Sequence, residues 1–327
     1  MQIMVTLAPD DLAVLRRRVA ACERAGFAAL GIGDSPGYHD VHVALTVAAQ
    51  VPARLRIGPM VTNVVTRTPQ VTARALHSVD EIAGGRVFAG VGGGDSALAG
   101  AAGAGVAGLA AGLGRLREHW PAAGVPGPDR PWRLVVAANG PRTLALGGAM
   151  ADLVVSGAGI TAEAVRRART AVAAGERRAG RAPGSVPLWA VARVAVAGDR
   201  ETALAGLLPL LASGANHVFR VPGEARGLPP EVAAGVATLR ARYDYAAHGH
   251  RTGNPNAALV ERLGLREPLA ERFAIAGTAA QVAAGLRELS GRGVDGVVIP
   301  AVGLDVDDLL ARLGEEVLPL LGRHAGR

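Results

Sequence analysis

Lysine is absent: all 35 basic side chains among the 327 residues are arginine. A Schiff-base lysine, a phosphate-loop lysine and a kinase-type lysine are therefore excluded, because each needs a primary amine. Cys22 is the single cysteine, which excludes an intramolecular disulfide and a thiolate cluster built from one chain, and suits a reducing compartment. Aromatic residues make up only 3 %, too few for base-stacking platforms. The opening MQIMVTLAPDDL lacks a basic stretch followed by an apolar core. No signal peptide is expected, and a cytoplasmic location is. The uncharged run 97–114 reaches 18 residues, but fourteen are Ala or Gly and Asp95 lies just ahead. A packed loop and helix is expected there, and no membrane contact.

Half of the residues are hydrophobic and 45 are glycine, so the chain can bury a sizeable core, and disorder is excluded as its main state. The net charge is +7. Arginine forks suit anions with several oxygens, but a coding bias that replaces lysine by arginine explains the same composition. The arginines are scattered and not clustered, so no nucleic-acid partner is expected.

Short apolar runs alternate with helix-like stretches. Residues 3–7 read as a strand. Asp10 and Asp11 then open a helix in which Leu12, Leu15, Val19 and Cys22 recur at spacings of 3, 4 and 3, and Gly26 closes it. Further strands are expected at 28–33, 55–61, 86–91, 134–138, 153–156, 187–197 and 294–300. Thr68 caps a helix that starts at Pro69, with Val71, Ala75, Val79 and Ile82 as its buried stripe. Other helices are expected near 41–51, 109–120, 161–178 and 305–320, with Asn139-Gly140-Pro141 starting another and Asp199 capping one more. Eight strands with helical crossovers predict an α/β fold, a (β/α)8 TIM barrel forming a single domain over 1–327. A loop and helix insertion at 215–290 precedes the eighth strand. An open doubly wound sheet is the competing architecture.

The strand tips are polar and glycine-rich. Strand 2 ends in Asp34, strand 3 in Thr62-Asn63, strand 4 in Gly92-Gly93-Gly94-Asp95, strand 5 in Asn139-Gly140 and strand 6 in Ser156-Gly157. In a closed parallel barrel these tips share the face that carries the active site. One tip alone is more often a turn or a cap than a functional residue; five in succession point to a ligand. The segment Asn139-Gly140-Pro141-Arg142 fits a phosphate at a helix N-terminus and equally a plain cap. Gly90-Val91-Gly92-Gly93-Gly94-Asp95 is no dinucleotide fingerprint, since Asp95 stands at the third glycine's place and would repel a pyrophosphate. The pairs His39/His42 and His248/His250 are too few for a zinc site, so capping or solvent-facing roles are expected and no metal is. Ser35 stands in Gly33-Asp34-Ser35-Pro36-Gly37, a Gly-x-Ser-x-Gly string, while Ser96 and Ser156 do not; no acyl-transfer elbow is expected.

The phrases GPMVTN (58–63), TRTPQVTA (66–73), SVDEIAGGR (78–86), GGGDSAL (92–98) and AANGPR (137–142), with FAIAGTAAQVAAGLREL and GVDGVVIPAVG near the end, resemble the luciferase-like monooxygenase superfamily. The similarity is to its deazaflavin-dependent branch, which includes methylenetetrahydromethanopterin reductase. That resemblance implies a TIM barrel that binds coenzyme F420, with FMN as the alternative, and transfers a hydride to or from a C=C or C=N bond of a small-molecule or peptide-derived substrate. A non-prolyl cis peptide is implied at Met60–Val61. Cofactor contacts are implied at Asp34, Met60, Val61, Thr62, Asn63, Gly93, Gly94 and Asp95 around the ring. Ala137, Ala138, Asn139, Gly140, Arg142 and Ser156 would serve its side and phosphate. Asp95, or Asp34, would act as proton donor. Ser35 replaces the histidine that alcohol-oxidising relatives carry after the strand-2 aspartate, so alcohol oxidation by that route is not expected. A homodimer is implied, and the other readings are an FMN-dependent monooxygenase or a non-catalytic flavin-binding paralogue.

Overall fold

The computed structural model describes residues 1–51, 53–94, 103–120, 132–221, 223–225, 228–247 and 252–322. Strand β1 (Gln2–Leu7) is followed by helix α1 (Leu12–Ala25), which Asp11 opens by accepting from the Val14 N–H at 2.8 Å. Leu15, Val19 and Cys22 form its buried stripe, as their spacing dictates, and burial pushes the Cys22 thiol up to about 12. The same unit then recurs: β2 (Ala29–Ile32), α2 (Val41–Ala49), β3 (Arg56–Pro59), α3 (Pro69–Ile82), β4 (Ala89–Val91), α4 (Gly105–His119), β5 (Leu134–Ala138), α5 (Pro141–Met150), β6 (Leu153–Ser156), α6 (Ala162–Arg178) and β7 (Leu188–Val191). The last strand of the set, β10 (Gly296–Pro300), precedes α12 (Val306–Arg312), a π-helical turn Leu313–Val317 and α13 (Leu318–Leu321).

These eight strands form one parallel sheet in the order β3-β2-β1-β10-β7-β6-β5-β4. Parallel bridges Ile57↔Val87 and Thr62↔Val91 bring its two ends together, so the sheet is a nearly closed barrel and not an open doubly wound one. The backbones crowd at this seam. A Cβ on Gly58 would stand 2.3 Å from the Phe88 carbonyl oxygen, and one on Gly90 would stand 2.1 Å from that of Pro59. Only glycine fits both places.

The lower half of the barrel interior is filled by Phe88, Trp132 and Trp189, stacked edge to face at centroid distances of 5.1 and 5.5 Å. Three of the chain's ten aromatics, the sum of 3 Trp, 3 Tyr and 4 Phe, are thus spent on one plug. Around the strands' N-terminal ends, carboxylates accept the first strand N–H groups. Glu23 takes those of Arg54 and Leu55, Asp152 those of Arg133 and Leu134, Glu176 that of Val186 and Asp295 that of Leu188. Asp80 takes Val87 N–H at 2.9 Å and pairs with the fully buried Arg133 at 2.6 Å. The Arg133 fork also donates to the carbonyls of Gly85 and Val87 and lies over the Trp120 ring at 4.6 Å.

Three local expectations are corrected. Thr68 makes no side-chain cap on α3. That helix buries Thr72, Ala73, Leu76, Val79 and Asp80 and leaves Val71 and Ile82 about half exposed at 54 % and 51 %, because its face is turned to bring Asp80 under the seam. The stretch 187–197 is two strands. At Ala192 the chain leaves the barrel, and β8 (Arg193–Val196) pairs in parallel with β9 (Ala274–Gly277), a four-residue segment too short to show a period.

Between β8 and β9 lie α7 (Arg200–Val218), α8 (Pro230–Ala241), α9 (Pro255–Arg262) and α10 (Arg266–Phe273). They pack into a second hydrophobic cluster around Leu207, Leu211, Leu239, Val260 and Phe273. Helix α11 (Ala279–Gly291) returns the chain to the main core through Val282, Leu286 and Leu289. Among the described residues no helix is long and apolar enough to cross a membrane.

Removing the acid of the seam strands a buried guanidinium, which typically costs about 3–5 kcal/mol. Asp80→Asn is expected to lose about that much unfolding free energy in urea denaturation, while Glu81→Gln on the exposed face changes it by less than about 0.5 kcal/mol. Equal losses from the two would refute the clasp.

Candidate active site

The strand tips surround a cleft of about 830 Å³, within the range of small-molecule and cofactor sites. Its floor is nearly bare of side chains: Gly92, Gly93 and Gly94 come from the β4 tip, Ala137, Ala138 and Gly140 from β5, and Gly157 from β6. Gly94 has φ +92°, a conformation that favours glycine. Met60 and Val61, joined by a cis peptide bond, line it from the β3 tip, and Val106 and Leu109 from α4. Polar groups stand around this apolar centre.

Asp34 lines the cleft from the β2 tip. Its Oδ2 accepts from the Thr62 hydroxyl at 2.7 Å and from the Arg67 guanidinium at 3.1 Å. Arg67 also reaches Asp40 Oδ2 at 2.5 Å, so one cation ties the β2 tip to the start of α2. Burial opposes ionisation of Asp40, but hydrogen bonds from the Val43 N–H, Arg67 and the His42 N–H outweigh it and hold the carboxyl below its usual range. Beside it burial pushes the His42 imidazole down, and its buried Nε2 has no hydrogen-bond partner. His42 is thus not solvent-facing as expected; His39 is exposed, and Asp40 caps α2. His248 and His250 lie outside the described residues.

The first turn of α5 borders the cleft through Pro141, Arg142 and Thr143. Gly140 at its N-cap offers no side chain, so the first-turn N–H groups of Arg142 and Thr143 have no side-chain cap. Such groups, with the positive end of the helix, suit an anion. The remaining wall comes from the β7/β8 junction and the end of α7, with Val191, Arg193, His217, Val218, Arg220 and Val221. Glu224 fastens this wall. It is 4 % exposed, receives the Arg272 guanidinium at 2.6 Å and pairs with Arg167 of α6.

Ten of the fourteen expected cofactor contacts line the cleft together: Asp34, Met60, Val61, Gly93, Gly94, Ala137, Ala138, Asn139, Gly140 and Arg142. Three others are buried behind it. Thr62 supports Asp34; Asn63 Oδ1 accepts from the N–H groups of Val65 and Thr66; Ser156 Oγ accepts from the Ala158 N–H at 3.3 Å. Their hydrogen bonds brace the tips, and the cleft lining does not include them. Asp95 lies outside the described residues. The wall from Val191 to Val221 was not anticipated, because it carries no glycine-polar tip and its far end is held by α7, whose Val218 packs in the second cluster. A signal existed in Arg193, a charge within the apolar run 188–196.

Glu224→Gln removes the charge that both arginines share. Hydrogen bonds to charged groups are worth about 1.5–3 kcal/mol, so the variant is expected to lose about 2 kcal/mol of stability and to admit protease cleavage between α7 and α8. Unchanged cleavage would show that the wall is held by other contacts.

The luciferase-like monooxygenase family model matches residues 2–121 and 119–296. A 5,10-methylenetetrahydromethanopterin reductase from Methanolobus tindarius is 26 % identical over 341 residues, covering 94 % of this chain and 97 % of that protein. The solved coenzyme F420 dependent tetrahydromethanopterin reductase from Methanopyrus kandleri superimposes with a TM-score of 0.79 at 22 % identity, covering 97 % of this chain and 98 % of the other. An F420-dependent secondary alcohol dehydrogenase, solved with an F420-acetone adduct, gives a TM-score of 0.70 at 15 % identity and 98 % coverage of both chains. With its barrel, its glycine-floored cleft and a family match across most of its length, this chain belongs to the luciferase-like monooxygenase family.

Proposed function

We propose that this chain is an oxidoreductase that uses coenzyme F420 to move a hydride between the deazaflavin and a C=C or C=N bond of a small-molecule or peptide-derived substrate. The observation that carries the reading is the nearly bare floor at Gly92–Gly94, Ala137 and Ala138 beside an uncapped helix start. A flat heterocycle with an anionic tail fits that arrangement. The coenzyme F420 dependent reductase from Methanopyrus kandleri, alike in fold over 97 % of this chain, supports F420 over FMN.

When bound, the deazaflavin supplies a transferable hydride, and the protein supplies position and electrostatics. The bare floor lets the ring lie close to the backbone at the β4 and β5 tips. Met60, Val61, Val106 and Leu109 give apolar contact and exclude water. The N–H groups of Arg142 and Thr143, with the Arg142 fork, hold the phosphate. Asp34 is committed as an acceptor to Thr62 and Arg67, which suits it to orienting a polar ring edge and not to giving up a proton. Asp95, next to Gly94 in sequence, is assigned the proton that accompanies hydride transfer. A homodimer in the cytoplasm, where a lone buried cysteine stays reduced, completes the reading.

Fluorescence titration of the purified chain with F420 and with FMN tests it. F420 is expected to bind at least about tenfold more tightly, a difference near 1.4 kcal/mol; tighter binding of FMN would turn the reading to a flavin monooxygenase. Asp95→Asn is expected to keep F420 affinity and to lose about 10²-fold or more in turnover, the usual contribution of a general acid. An unchanged rate would remove Asp95 from the mechanism.

A further inference from the structure

Arg193 begins β8 at the point where the chain leaves the barrel, and it lines the cleft. It is 8 % exposed, and its Nε and Nη1 are buried without a hydrogen-bond partner. Burial alone pushes its guanidinium down to about 10, with no acidic side chain offsetting it. The guanidinium lies over the Phe273 ring at 4.8 Å. Its Nη2 faces Gly214 of α7, where a Cβ would come within 2.7 Å. Glycine is less favourable than alanine inside a helix, and here it leaves the space the fork occupies.

A buried cation ordinarily acquires an acid or carbonyl partners, because an unpaired one is costly. Two other arginines, the buried Arg133 and the partly buried Arg272, follow that rule. Arg133 has Asp80 and two carbonyls, and Arg272 has Glu224 and the Ala158 carbonyl. The acid of the cleft wall, Asp34, is taken by Arg67. Arg142 and Arg220 add positive charge to the same wall.

We propose that Arg193 is a receptor for an oxyanion, a carboxylate or phosphate group of a ligand that enters the cleft along the wall built by β8 and the end of α7. A planar two-oxygen group matches the fork, and binding it satisfies the donors that the fold leaves unpaired. Two sources share this chemistry: an anionic substrate, and the acidic tail of the cofactor. The anion site does not depend on the cofactor reading, and only the division between sources does.

Thermal melting of the full chain without cofactor, in inorganic phosphate or acetate against sodium chloride at matched ionic strength, tests the site directly. The unmodified protein is expected to melt at a higher temperature in the oxyanions. Arg193→Met is expected to lose that rise and Arg193→Lys to keep part of it. Arg193→Met without ligand should melt no lower than the parent, since it removes an unpaired buried charge; a lower melting point would mean the fork is structural and would overturn the proposal. F420 and its core lacking phosphate and glutamates then separate the sources. If Arg193→Met weakens F420 by about tenfold and leaves the core unchanged, the cofactor tail is the ligand. If both bind as before and the oxyanion rise persists in F420-saturated parent protein, the substrate carries the anion. An oxyanion response identical in the parent and Arg193→Met, with an unchanged ratio of F420 to core affinity, would refute the receptor.

Discussion

The seam between β3 and β4 is the constraint on which the rest of the molecule depends. A parallel barrel must close without a hairpin, and here it closes through a three-residue strand and two bridges. Gly58 and Gly90 permit the backbones to meet, and the Asp80–Arg133 pair anchors the lower end through a helix, a strand and two carbonyls. At the upper end the same seam carries Met60, Val61 and the Thr62–Asp34 contact. The cleft floor is therefore the top of the closure.

Charge is divided between the two faces. At the strand N-termini, acids take backbone N–H groups and arginines take backbone carbonyls, as Arg86 does with Leu55, Ala49 and Ala83. The five donors of a guanidinium suit such multiple carbonyl contacts, so much of the arginine content is structural whatever its origin in composition. At the opposite face the cations of the wall point into the cleft with few acids beside them. That asymmetry matches the division of a TIM barrel into a stability face and a functional face.

All eight barrel strands were legible because each is a short apolar run bounded by caps and glycines, and α1 declared itself through its spacing and through Asp11. The cleft floor was legible for the same reason: glycines at successive tips are a local signal. What escaped was non-local. The β8/β9 pair joins residues about eighty positions apart, and the face that α3 buries is set by Asp80 reaching Arg133, not by its most hydrophobic positions. Thr62, Asn63 and Ser156 were recognised as polar tips, but only their hydrogen bonds show that they brace neighbours.

The second hydrophobic cluster gives the cleft two makers. The planar floor belongs to the barrel core, while the flank from Arg193 to Val221 is carried by helices that satisfy their apolar faces largely among themselves. Substitutions in α7 to α10 can reshape that flank without disturbing the closure that supports the floor. Selection for a new reactant has room to act on one side of the cavity while the redox platform on the other stays as it was.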